Sequence, residues 1–83
     1  MNFYCYQLIS NKTMSDGIEI PSDVDLFCIK EEDDILYLIY ENEKNDKILF
    51  WSRLEELKYI GEVEKEFDES LGDIIDGNYF NLI

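Results

Sequence analysis

The chain has 83 residues, is 46% hydrophobic and 14% aromatic, and sets 20 acidic against 7 basic side chains with no histidine, for a net charge of −13. Its aromatic and β-branched content excludes an acidic disordered segment, and its length predicts a single small acidic domain over residues 1–83. The charge has the wrong sign for direct nucleic-acid binding, where Lys and Arg neutralise phosphates.

Residues 2–10 read as a first strand. Phe3, Cys5, Gln7 and Ile9 alternate with Tyr4, Tyr6 and Leu8, and both sets are largely apolar, so both faces are partly covered. Residues 11–22, rich in Asn, Ser, Asp and Gly and holding the only proline, predict a long loop that Ile18 and Ile20 tuck back onto the sheet. Residues 23–30 form a second strand, with Val24, Leu26 and Cys28 on one face and Asp25, Phe27 and Ile29 on the other. The acidic run Glu31, Glu32, Asp33, Asp34 turns the chain. A two-residue loop at Glu32-Asp33 would set Lys30 opposite Ile35 and Cys28 opposite Tyr37. Residues 35–51 are the centre of the domain: two apolar, β-branched and aromatic runs flank a polar segment with turn chemistry at Asn45-Asp46, the pattern of a β-hairpin. These strands in succession predict a meander.

Ser52-Arg53-Leu54-Glu55 matches a capping box and predicts a helix over 53–60, with Leu54 and Leu57 buried and Gly61 as its stop. Residues 62–67 fit either period, and their Glu and Lys content favours helix. A helical turn or two is expected over 70–76, and 78–83 as a short strand or packed tail. The expected fold is α+β: a small antiparallel sheet of about four strands, a meander, with one or two C-terminal helices packed on one face.

The usual chemistry of catalysis is missing. Hydroxyl or thiol nucleophiles need a base, and the chain has no histidine and no Ser-x-x-Lys motif. The four glycines are too scattered for a phosphate loop. The run 31–34 lacks EF-hand spacing, and Cys5 and Cys28 form no metal motif. The expectation is therefore no enzyme, no cofactor, no metal and no catalytic residue. No apolar run reaches the roughly 18 residues of a membrane span, and no basic leader precedes the first one, so the protein is expected in the cytoplasm without membrane contact.

The charge is uneven. Residues 1–30 hold four acids and two bases, whereas residues 55–76 hold nine acids and two bases. A small domain needs only about 2–8 units of net charge for solubility, and the surplus costs stability through self-repulsion. A basic protein partner gives that surplus a purpose. The expected function is an acidic inhibitor that blocks a basic, nucleic-acid-binding surface of a larger protein by imitating nucleic acid. Nuclease-immunity, anti-restriction and anti-CRISPR proteins use the same physics, an analogy of charge and size. The expected partner-binding residues are Glu31, Glu32, Asp33, Asp34, Glu62, Glu64, Glu66 and Glu69, with Tyr37 and Tyr40. The alternative is a small structural or regulatory subunit that associates through an aromatic sheet face, because Tyr and Trp combine contact area with a polar handle.

Overall fold

In a computed structural model describing residues 1–77, the chain runs through β1 (Asn2–Leu8), β2 (Lys12–Thr13), β3 (Glu19–Ile20), β4 (Leu26–Glu32), β5 (Ile35–Glu41), β6 (Lys47–Arg53), β7 (Leu57–Glu64) and α1 (Leu71–Gly77). The central hairpin is β5–β6, in register from Ile35↔Arg53 to Glu41↔Lys47. Its loop is organised by Asn42, whose Oδ1 accepts hydrogen bonds from the backbone N–H of Lys44 and Asp46, each at 2.9 Å. Asn45 takes φ 65°, a conformation asparagine tolerates because its short polar side chain bonds locally.

β4 pairs antiparallel with β5 through a two-residue turn at Asp33-Asp34, one residue later than expected, with Asp33 at φ 56° and Glu32 opposite Ile35. A bulge between Cys28 and Lys30 then sets Cys28 opposite Leu38 and Phe27 opposite Ile39, not Cys28 opposite Tyr37. Core chemistry selects this register. A one-residue slip moves every side chain to the other face, and only the observed pairing joins Leu26 to Leu36 and Leu38 in one core.

The main sheet is a five-stranded antiparallel one in the order β6-β5-β4-β1-β7, with one C-terminal helix, a small α+β fold. The β4–β5–β6 meander is as expected; the fifth strand corrects the expected helix over 53–60. The predicted capping box does not form on Ser52: Arg53 takes the N-cap position, and the Ser52 hydroxyl donates where a capping serine would accept from the backbone. Leu54–Glu56 is a 3₁₀ turn in which Glu56, not Glu55, accepts from Ser52 Oγ (3.0 Å) and from the Arg53 N–H (3.3 Å). From Leu57 the chain pairs with β1, Leu57↔Leu8 through Glu64↔Asn2, so backbone groups of a central strand decide its conformation over local propensity. The lean of 62–67 towards helix is corrected too, since β7 extends to Glu64. Helical structure does form where a turn or two was expected, as α1, and Ser70 Oγ accepts from the Asp73 N–H at 3.2 Å. The expected strand or tail at 78–83 lies outside the described residues.

Both faces of the sheet are covered, which explains the double apolar alternation in β1. One face packs Leu8, Leu26, Leu36, Leu38, Ile48, Phe50 and Leu57 against Ile20, Ile18 and Met14 of the β2–β3 hairpin, so the loop at 11–22 does fold back through its isoleucines. The other packs Phe3, Phe27, Ile39 and Leu49 against Phe67 and, from α1, Leu71, Ile74 and Ile75. Phe3, Phe27 and Phe67 meet edge to face, with centroids 5.7–5.9 Å apart. No helix among the described residues is long and apolar enough to cross a membrane.

The Ser52–Glu56 contact yields a pH-dependent test. Ser52 is fully buried, and its hydroxyl also reaches the Arg53 carbonyl at 3.2 Å. Partial burial pushes the Glu56 carboxyl up, but the Ser52 and Arg53 hydrogen bonds and the Lys12 ammonium outweigh it and hold the carboxyl below its ordinary value. A carboxylate with a lowered folded pKa adds stability above its unfolded pKa and loses it as pH falls through the folded one. Ser52→Ala is expected to cost roughly 0.5–2 kcal/mol near neutral pH, less in acid. Chemical denaturation at both pH values checks this; a loss independent of pH would mean that the serine acts through packing alone.

Candidate protein-binding surface

The acids predicted to act together fall into three places. Glu31, Glu62 and Glu64 are exposed on strands that flank β1 on either side. Glu62 lies opposite Tyr4 and Glu64 opposite Asn2 in the β1–β7 register. Glu32, Asp33 and Asp34 cap the β4–β5 turn, with Glu32 3.3 Å from Lys30. Glu66 and Glu69 have left the sheet and are engaged within the chain. Glu66 pairs with the Met1 amine at 2.6 Å, and Glu69 lies 3.4 Å from the Lys47 ammonium. The two predicted tyrosines part as well. Tyr37 faces Trp51 across the hairpin under the Lys30 ammonium, while Tyr40 packs against the core on the opposite face.

Lys47 is the clamp of the second face. Its side chain is only 3% exposed, and its ammonium contacts Asp68, Glu69 at 3.4 Å and Glu41 at 3.6 Å. Hydrogen bonding to Asp68, partly opposed by desolvation, raises its pKa and lowers that of Asp68. Lys65 pairs with Glu41 at 2.8 Å and lies over the Phe67 ring at 5.3 Å. These contacts tie the segment between β7 and α1 to the hairpin. The acids of this segment thus serve the fold, which removes Glu69 from the free acidic surface.

What remains is a set of surface carboxylates that make no ion pair among the described residues, with Glu64 within the field of the Met1 ammonium. Only Glu32, Glu41, Glu56, Glu66, Asp68 and Glu69 make ion pairs among the described residues, so Glu31, Glu62, Glu64, Asp33 and Asp34 do not. Beside Glu31 and Glu62 is a cluster the sequence reading did not assign. Tyr59 contacts Tyr4 and Tyr6, with ring centroids 6.3 and 5.2 Å apart. Tyr4 is 57% and Tyr59 55% exposed, and Ile60 is exposed beside them. Treating 57–64 as a strand would have found this cluster, because Tyr59 then falls on the same face as the Tyr4/Tyr6 alternation.

The cysteines are free. Cys5 lies opposite Phe27 and Cys28 opposite Tyr4, so neighbouring strands carry them on opposite faces. Burial first, and the Asp25 carboxylate second, push the Cys5 thiol up to about 11, which leaves it protonated at neutral pH. Among the described residues no group of three or more Cys, Asp or Glu side chains is arranged to hold a metal. No family model, no curated protein and no solved structure matches the chain.

Proposed function

We propose that this protein binds and blocks a basic surface on a larger protein, with carboxylates standing where the phosphates of a nucleic acid would lie. The observation that carries the reading is the set of exposed carboxylates on β4, its turn and β7 that make no ion pair among the described residues, on a chain already at −13. Uncompensated like charge destabilises the fold that holds it, and a basic partner relieves that cost. The members of the set are Glu31, Glu62, Glu64, Asp33 and Asp34, with Glu32 beside Lys30 at its border. Glu66 and Glu69 are left out because each already has a cation.

The test compares the wild type with a variant carrying Glu31→Gln, Asp34→Asn, Glu62→Gln and Glu64→Gln, and with a control carrying Glu19→Gln, Asp23→Asn, Glu43→Gln and Asp76→Asn. Both variants remove the same charge. Proteins retained by the wild type are eluted along a salt gradient and then competed with duplex DNA and RNA. The expected result is a basic protein that the control retains and the first variant loses at least about tenfold more weakly, the scale of 1.4 kcal/mol. Its nucleic-acid binding should be displaced by the wild type, and association should slow as salt rises. Equal retention by both variants together with simultaneous binding of nucleic acid would overturn the mimic.

The exposed Tyr4, Tyr59 and Ile60 favour a second reading, a subunit that docks through its aromatic sheet face. In that case the carboxylate variant binds as well as the wild type, salt has little effect, and Tyr59→Ala abolishes association.

A further inference from the structure

The tyrosine cluster and the unpaired carboxylates share one surface, and their chemistry specifies what touches it. Tyr4 and Tyr6 stand on β1, and Tyr59 contacts both from β7. Glu62 is the residue opposite Tyr4, and Glu31 lines the same depression as Tyr4, Glu62 and Cys28. Burial first, with further contributions from Cys28, Glu31, Tyr59 and Tyr4, raises the Tyr6 pKa, so its hydroxyl remains a neutral group within this cluster. Lys30 also borders the depression, but its ammonium is engaged by Glu32 at 3.3 Å and the Tyr37 ring at 5.6 Å.

Exposed aromatic faces flanked by carboxylates attract a cation twice, through the ring quadrupole and through charge. Arginine suits the pair better than lysine. Its guanidinium is planar, weakly hydrated and forked, so it stacks on a ring while donating to a carboxylate. The depression opens to solvent, and an extended basic segment gains from the wider field of the chain as well as from the residues at the depression. We propose that the Tyr4–Tyr6–Tyr59 surface receives an arginine of a basic partner protein, stacked on Tyr4 or Tyr59 and bonded to Glu31 or Glu62. This proposal rests on the reading of the protein as a binder of basic surfaces, and adds the residue type recognised and the place where it docks.

The experiment titrates the full chain at low ionic strength with nona-arginine and, separately, nona-lysine, following tyrosine ring resonances by NMR and affinity by calorimetry. The expected result is that nona-arginine binds more tightly than nona-lysine and shifts the ring protons of Tyr4 and Tyr59. Tyr59→Leu, which keeps an apolar side chain on the strand, should weaken nona-arginine roughly tenfold and erase the preference over nona-lysine. Glu62→Gln should weaken both peptides. If Tyr59→Leu fails to fold, the wild-type ring shifts and peptide preference decide the matter alone. Equal binding of the two peptides with unmoved tyrosine rings would overturn this docking surface and leave the acidic-binder reading standing. Failure of both peptides to bind would overturn both. Ring shifts that follow protein concentration alone, with dimers in sedimentation, would assign the surface to a second copy and overturn the arginine proposal.

Discussion

Phe50→Ala is expected to cost about 3–5 kcal/mol, the range for truncating a fully buried phenylalanine. Phe50 lies on β6, at one end of the sheet order, yet none of its surface is exposed. It stands opposite Leu38 and shares its core with Ile20 from the β2–β3 hairpin. Removing the ring opens a cavity between sheet and hairpin that rigid strand backbones cannot close. At about 4–8 °C per kcal/mol for a chain of this size, the melting temperature should fall by at least about 12 °C. The next residue is the control. Trp51 is larger but 38% exposed on the opposite face, so Trp51→Ala should cost far less despite the greater volume removed. Thermal and urea unfolding of both variants measure the difference. Equal losses would mean that the face assignment of β6 is wrong.

Ile74→Ala is expected to cost about 2–5 kcal/mol and to release α1 from the sheet. Its described part has seven residues, well below the roughly 12–15 at which an isolated helix becomes even marginal in water. Its existence therefore depends on docking. Ile74 is the one buried residue among its described positions, 1% exposed and packed with Phe3, Phe27, Ile39 and Leu49. Hydrogen exchange should show the α1 amides of the variant losing protection while those of β5, paired on both sides, keep theirs. Uniform loss across both elements would instead make the helix part of the same cooperative unit as the sheet.

Sequence reading reached the elements whose instructions are local. The β5–β6 hairpin follows from two apolar runs about a polar turn, and the β4–β5–β6 meander from strands in succession. β1 was recognised with its two covered faces, and α1 arose where a helical turn or two was expected. It failed at residues 57–64 because two signals compete there. The segment after Ser52 does form one 3₁₀ turn, but Leu57 onward meets the open side of β1, some fifty residues earlier in the chain, and that encounter has no local signature. The functional surface inherited the error. With 57–64 read as helix, Tyr59 was removed from the strand face where it contacts Tyr4 and Tyr6. Glu66 and Glu69 looked like members of an acidic face because the sequence does not reveal that the chain crosses to the other side of the sheet after β7. There Lys47 holds the segment that carries Glu69.

The placement of β1 between β4 and β7 sets the order in which this sheet can be assembled. The β4–β5–β6 meander needs only closures of two and five residues, among the fastest events available to a chain. β1 must then find β4 across a loop of seventeen intervening residues, and forty-eight residues separate β7 from the end of β1. Each longer closure carries a greater entropic cost before its contacts form. Until β7 arrives, the edge of β1 presents unpaired backbone and the apolar side chains Phe3 and Leu8. β7 follows β6 after only Leu54–Glu56, so the pairing of β1 with β4 already brings β7 within reach of β1, and the long closures are one cost shared by both pairings. In the finished sheet β7 is the strand at the end of the order, and the exposed carboxylates of Glu62 and Glu64 along it oppose edge-to-edge pairing with another like-charged chain.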